Sequence, residues 1–357
     1  MRVLITGGAG FIGSSIALMI RRDHEWDVVA LDNLKRRGSE LALERLADGG
    51  VGFIHGDIRI PEDLEAAGSA DLIVECSAEP SVSAGRDGDA RYVVNTNLIG
   101  TFNCLEFARR HRSAMIFLST SRVYSIAALR GLPLAAGASR FELPENSSGP
   151  GWSSRGISEA FATGGSRSLY GTTKLASELL IEEYGAMHEI PAIVNRCGVV
   201  TGAWQMGKVD QGFFVLWAAR HRYGGTLKYM GFNGDGLQVR DVLHIADLYA
   251  LIARQIEKLE TLAGRVFNAG GGIGSSVSLR ELTSMCAERT GNRITIGSDP
   301  ATRPEDIPYY VTDNSLVSAQ TGWAPQYSIA RSLDDVLGWL EQYRSVLVPI
   351  LSTQRIA

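Results

Sequence analysis

The chain has 357 residues, 45% hydrophobic and 21% charged, enough to bury one large core or two smaller ones and too balanced for a disordered or fibrous protein. Its 35 Lys and Arg stand against 39 Asp and Glu, and a formal net charge of -4 leaves no broad basic face of the kind nucleic-acid binding needs. Cys76, Cys104, Cys197 and Cys286 form no Cys-x-x-Cys pair, so buried free thiols are expected, with no metal site and no dithiol chemistry.

The first residues read as a strand rather than as a basic region and long apolar core, and no apolar run approaches the roughly 20 residues of a membrane span. A cytoplasmic protein without a membrane or nucleic-acid partner is expected. Through the first half, short β-rich apolar runs alternate with amphipathic stretches. Strands are expected at residues 2–6, 26–31, 51–55, 71–76 and 114–118, and helices at 12–22 and 97–111. That alternation predicts an α/β fold, a doubly wound parallel sheet of Rossmann type.

Leu4-Ile-Thr-Gly-Gly-Ala-Gly-Phe-Ile-Gly13 sets glycines at 7, 10 and 13 between the first strand and the first helix. Gly7 permits a tight turn, Gly10 lets backbone approach a pyrophosphate, Gly13 allows close packing, and the helix N-terminus offers oriented N–H donors. Asp32 ends the second strand about 20 residues on, where a carboxylate meets the adenosine ribose hydroxyls and repels a 2′-phosphate. NAD is therefore expected rather than NADP, although Lys35, Arg36 and Arg37 either receive such a phosphate or line a solvated loop. Asp57-Ile58, after the third strand, sits where an acid reaches the adenine amino group or simply closes a surface turn.

Ser119-Thr-Ser121 directly follows the run 114–118, at the carboxyl edge where ligands bind in such sheets. Thr120 is the hydroxyl expected to hold a substrate oxygen; Ser119 and Ser121 suit turn caps. From 125 to 168 the pattern dissolves, and a long functional loop is expected there. A helix at 170–187 then carries Tyr170-Gly-Thr-Thr-Lys174, a phenol and an ammonium one turn apart on one face. A phenol that titrates at about 10 is a poor base, and a neighbouring cation favours its ionised form. Such a pair alone is equally an ordinary helix surface. After a returning strand at 191–197, Gly-rich aromatic turns and helices at 279–289 and 332–343 predict a smaller C-terminal substrate-binding lobe. The expected division is 1–198 and 199–357, with segments of the second part returning to the first.

Taken together, Thr6-Gly-Gly-Ala-Gly-Phe-Ile-Gly13, Asp32-Asn-Leu34, Gly56-Asp-Ile58, Asn97-Leu-Ile-Gly-Thr101, Ser119-Thr-x-x-Val-Tyr124, Tyr170-x-x-x-Lys174 and Val239-Arg-Asp-Val-Leu-His244 resemble the extended short-chain dehydrogenase/reductase family over nearly the full length. The resemblance implies Tyr170 as base, Lys174 as the group that holds the cofactor ribose and tunes Tyr170, and Thr120 as the group that orients a sugar hydroxyl. It implies cofactor contacts from Phe11, Ile12, Asn33, Ser77, Ala78 and Asn97 as well, and a homodimer or homotetramer. Lys208-Val-Asp-Gln-Gly212 with Gly236-x-Gln-Val-Arg-Asp-Val-Leu-His244 is similar to the CDP-paratose 2-epimerases. By that likeness the substrate is a nucleotide-diphosphate sugar, epimerised through a keto intermediate and held by Gln211, Arg240, Arg303 and Asp306. A 4-epimerase needs the same three residues and stays open, as does a dinucleotide-binding protein without catalysis. Ser121-Arg122 stands where a 4,6-dehydratase carries an Asp-Glu pair, which speaks against dehydration.

Overall fold

Apolar residues run unbroken through Val3-Leu-Ile5, Val28-Val-Ala-Leu31 and Leu72-Ile-Val74, which suits strands covered on both faces. The computed structural model describes residues 1–86, 88–207 and 211–352. In chain order the elements that build the main sheet are β1 (Arg2–Thr6), α1 (Phe11–Asp23), β2 (Asp27–Asp32), β3 (Gly52–His55), β4 (Leu72–Glu75), α2 (Gly100–His111), β5 (Ala114–Thr120), α3 (Leu169–His188), β6 (Ala192–Cys197) and β7 (Val266–Ala269). The seven strands lie in the order β3-β2-β1-β4-β5-β6-β7. Parallel registers join β1 to β2 and β4, β2 to β3, and β4 to β5. Strand order reverses between β1 and β4, which opens a crevice at the carboxyl ends of those strands.

Helices cover this sheet because their apolar stripes match it. Ile16, Ala17 and Ile20 of α1 are fully buried, as are Cys104, Leu105, Phe107 and Ala108 of α2. Each isoleucine or phenylalanine so buried contributes roughly 1.5–3 kcal/mol relative to exposure. Ser168 caps α3, its hydroxyl accepting from the Gly171 N–H at 3.2 Å. Within α3, Glu178 pairs with Arg196 of β6 at 2.7 Å, both nearly out of water, and the Ser119 hydroxyl donates to the same carboxylate. No helix among the described residues is long and apolar enough to cross a membrane.

Two compact units divide the chain: residues 1–123, 168–196 and 249–267 form the first, and 124–167, 197–248 and 268 onward the second. The seven-stranded sheet belongs essentially to the first. In the second, the strands Val199–Thr201, Val239–His244 and Ser276–Ser278 form a small sheet, with Tyr309–Tyr310 pairing on Val239–His244. The helices Phe213–Tyr223, Leu279–Thr290 and Ile329–Gln342 belong to the same unit. His244 stacks on Tyr327, ring centres 3.8 Å apart, and buried Asp241 accepts from the Gly272 N–H at 3.1 Å.

Three expectations are corrected by these elements. The strand expected at 114–118 continues through Ser119 and Thr120. The helix expected from residue 97 begins with a helical turn at Arg91–Val94, widens into a π-type turn over Asn95–Ile99, and only then becomes α2. The loop expected over 125–168 contains the short helix Ile126–Arg130, capped by Ser125, and small antiparallel pairings at 135–142 and 148–157. Two-residue strands in Gly- and Ser-rich sequence carry no period long enough to read. This segment is tied down inside the second unit: Arg140 grips Glu281 at 2.6 Å and the Ile157 N–H donates to the Val311 carbonyl at 2.8 Å.

Removing one member of the buried Glu178–Arg196 pair strands the other charge. Glu178→Ala is expected to cost about 3–5 kcal/mol of stability in urea unfolding, and a cost within about 0.5 kcal/mol, the ordinary range for surface changes, would show that the pair does not hold α3 to the sheet.

Candidate functional site

The turn from β1 into α1 is shaped by what its glycines exclude. Gly7 has φ +63°, and a Cβ there would sit 2.8 Å from the Ser77 nitrogen and 2.9 Å from the Cys76 carbonyl carbon. A Cβ on Gly13 would strike the Gly7 carbonyl oxygen at 2.2 Å, so the turn and the first helical turn touch backbone to backbone. One on Gly10 would meet only that same oxygen, at 3.1 Å, and otherwise open space. Gly10 caps α1 without a side chain, and no acid lies in the first turn. The N–H groups of Phe11, Ile12 and Gly13 therefore present positive potential that no acid of the helix's own first turn cancels, which is what a pyrophosphate requires.

Asp32 reaches back over this turn. One carboxylate oxygen accepts from the Ala9 N–H at 3.1 Å and the other from the Leu34 N–H at 2.8 Å. Burial raises its carboxyl above the usual range, while those backbone donors pull it back. Asp57 feels burial too, but hydrogen bonds from Arg59 and Asn33 prevail and hold it down at about 2; the Asn33 amide lies 2.8 Å away. Lys35 and Arg37 are exposed and Arg36 half-buried, and Lys35 sits 3.8 Å over the Tyr92 ring. Ile58 is not a surface contact: its side chain is 3% exposed within the core, and its carbonyl accepts from Asn103 at 2.8 Å. Ser77 and Ala78 are half-buried in the segment after β4 that backs Gly7.

Asn97 is fully buried and its amide is committed to protein. Its oxygen accepts from the Glu79 N–H at 2.8 Å, and its nitrogen donates to the Glu79 carbonyl at 3.1 Å and the Thr173 hydroxyl at 3.2 Å. The wide turn also turns the Asn97 carbonyl toward two hydroxyls, Thr101 and Ser177, each at 2.8 Å. Asn97 thus ties the segment after β4 to the start of α3.

Thr120 ends β5, and Tyr170 and Lys174 occupy the first turns of α3; they are 8%, 9% and 2% exposed. The Arg122 N–H donates to the Thr120 hydroxyl oxygen at 3.2 Å, so the hydroxyl proton can be offered to another oxygen. The Lys174 ammonium lies 4.0 Å over the Phe117 ring centre, a face that attracts a cation. All the expected catalytic and cofactor residues belong to the first unit, whereas Gln211, Arg240, Arg303 and Asp306 belong to the second.

Within the second unit, Arg240 donates to the Val239 and Ile307 carbonyls, each at 2.7 Å, and Asp306 accepts from the Arg303 main-chain N–H at 3.0 Å. The pair expected from Arg303 and Asp306 is therefore a closed turn. Arg130, unremarked in the sequence, clasps it by donating to the Arg303 and Asp306 carbonyls at 2.6 and 2.9 Å. Gln211 is half-buried just before the helix Phe213–Tyr223, and Lys208, Val209 and Asp210 of its motif lie outside the described residues.

A glycine turn feeding an uncapped helix, an acid at the end of β2 and a reversal of strand order define a dinucleotide-binding enzyme of Rossmann type. Residues 3–270 match the model of the NAD dependent epimerase/dehydratase family, and the chain belongs to that family, with NAD as its cofactor. The CDP-paratose 2-epimerase of Salmonella typhi is 27% identical, over 95% of this chain and 99% of the relative. The UDP-glucose 4-epimerase of Erwinia amylovora is also 27% identical, over 96% and 98%. The solved UDP-glucose 4-epimerase of Thermus thermophilus in complex with NAD superposes with a TM-score of 0.76 at 26% identity, over 96% of this chain and 99% of that one.

Two substitutions test the cradle. Gly13→Ala should weaken NAD binding by about tenfold or more, roughly 1.4 kcal/mol, in isothermal titration calorimetry. Asp32→Ala should weaken NAD similarly while narrowing the preference over NADP; an unchanged preference would remove Asp32 from ribose recognition.

Proposed function

We propose that the protein epimerises a nucleotide-linked sugar, with Tyr170 as the base, Lys174 as the charge that keeps Tyr170 ready, and Thr120 as the hydroxyl that orients the sugar alcohol. The observation that carries this reading is the burial of a phenol and an ammonium one helical turn apart at the head of α3, in the unit that also carries the cradle for NAD.

The residues divide the work as follows. Thr120 donates a hydrogen bond to the reacting sugar oxygen and fixes it near Tyr170. The Tyr170 phenolate takes the alcohol proton, and the Lys174 ammonium stabilises that phenolate in a site where water cannot screen the charge. NAD, when bound, supplies an acceptor for the hydride that leaves the sugar carbon and later gives it back. Between the two transfers the sugar is a ketone, and return to its opposite face inverts the carbon while Tyr170 hands the proton back to the oxygen. No net oxidation results. Asn97, through Glu79 and Thr173, holds the two sides of this pocket in register.

We assign the substrate as a CDP-linked 3,6-dideoxy sugar of the paratose type, inverted at C2. The support is the full-length likeness to the Salmonella typhi enzyme and the blocks around Gln211 and Arg240. Arg240, Arg303, Asp306 and Gln211 are the proposed holders of the nucleotide diphosphate and its ribose, the arginines on the diphosphate, since planar guanidinium groups engage phosphate oxygens in pairs, and the Asp306 carboxylate on the ribose hydroxyls. A 4-epimerase acting on a UDP-sugar is the second reading, favoured by the equal identity to the Erwinia amylovora enzyme.

A panel of CDP-, UDP-, GDP- and dTDP-sugars followed by proton NMR separates the two: inversion at C2 of a CDP-sugar supports the first, and inversion at C4 of a UDP-sugar replaces it. Tyr170→Phe should still bind NAD yet lose turnover by about 10²-fold or more; undiminished turnover would refute the base.

A further inference from the structure

β4 carries an acid where its pattern calls for an apolar residue. Leu72, Ile73 and Val74 lead into Glu75, which is completely buried. Glu75 stands beside Phe117 in the parallel register of β4 and β5, and register partners in a sheet point to the same face. Phe117 is the ring over which the Lys174 ammonium rests. Glu75 thus projects beneath the catalytic helix. One of its oxygens accepts from the Thr101 hydroxyl at 2.6 Å; the other is buried with no hydrogen bond. Such a carboxyl is expensive to keep unless its charge serves another group.

The geometry points to Glu75 as a positioning residue: a buried counter-charge beneath Lys174 that sets the pH at which Tyr170 ionises. This rests on the reading of Tyr170 as base and Lys174 as its charged partner. The groups that face Glu75 are few. From α2 come the Thr101 hydroxyl and the Cys104 thiol, from α3 the Lys174 ammonium, from β5 the Phe117 ring, and from β1 the Thr6 hydroxyl, the other register partner of Glu75. Burial pushes the Glu75 carboxyl up to about 7, against the pull of Lys174, Thr101 and Cys104. Burial and Glu75 together push the Cys104 thiol well above its ordinary range, so it stays protonated. Glu75 is then the acid of this cluster that changes charge.

The sign follows from electrostatics. A carboxylate in this enclosed site raises the pH at which every neighbouring acid releases its proton, the Tyr170 phenol and the Lys174 ammonium included. Neutralising it lowers both. Loss of Glu75 therefore moves the whole working window toward acid, whereas a purely structural lesion lowers activity without moving it.

Ultraviolet difference titration of the NAD-saturated protein, with the Tyr170→Phe spectrum subtracted, isolates the ionisation of Tyr170 without any sugar. Glu75→Gln keeps the shape and the Thr101 hydrogen bond, and it should move that transition to lower pH by about one unit or more. Glu75→Asp keeps the charge and should restore it toward wild type, even if the shorter side chain lowers the melting temperature. An unmoved transition in Glu75→Gln, or an equal shift in Glu75→Asp, overturns the inference. Should Glu75→Gln fail to fold, Glu75→Met, neutral and close in volume, takes its place: a shift to lower pH of about one unit or more supports the inference, and a smaller shift or none overturns it. Turnover in Tyr170→Phe would instead bring down the base reading itself, a separate result.

Discussion

A lysine ammonium held 2% exposed is the constraint around which the first unit is arranged. Leaving water costs a cation several kcal/mol unless the surroundings compensate. Part of that compensation comes from the Phe117 ring face on β5 and the field of Glu75 on β4. Both supports come from adjacent strands at the carboxyl edge of the sheet. The ammonium can keep its place only while α3 stays seated on those strands, and Glu178, Arg196 and Ser119 secure that seat one turn further along the helix.

The same logic explains the network on the other side of α3. The wide turn at Asn95–Ile99 exposes one carbonyl sideways, and the Ser177 hydroxyl satisfies it, while the single proton of the Thr101 hydroxyl goes to Glu75. The Asn97 side chain meanwhile closes on Glu79 and Thr173. Among the described residues, the exceptions beside this network include one oxygen of Glu75 and the Thr96 hydroxyl of the same wide turn. The paired part of a buried network behaves as a rigid floor, and rigidity is what a proton-transfer site needs to hold its geometry.

Much of this was legible in the sequence, and the reasons are local. Glycines at 7, 10 and 13 between a strand and a helix allow one turn geometry, and Tyr170 with Lys174 on a 3.6-residue period must share a face. The doubly wound sheet followed from alternating periods of apolar residues. Illegible were the features fixed by contacts distant in sequence. Glu75 lay inside the strand expected at 71–76 with nothing local to single it out, and only its neighbours on β5 and α2 give it meaning. The hydrogen bonds that tie the Asn97 amide to residues 18 and 76 positions away had no local signal either. Ile58, next to an acid at a strand end, turned inward to the core. The segment 125–168 hid its order in two-residue strands, and Arg130 found its partners more than 170 residues later.

Whether the Lys174 charge governs the phenol is open to one direct measurement. In NAD-saturated Lys174→Met, the Tyr170 ionisation followed by ultraviolet difference spectroscopy should move to higher pH by about one unit or more, since the cation that favours the phenolate is gone. A transition at the wild-type pH would contradict the account, because it would leave the buried ammonium with no influence on the base it is placed to control.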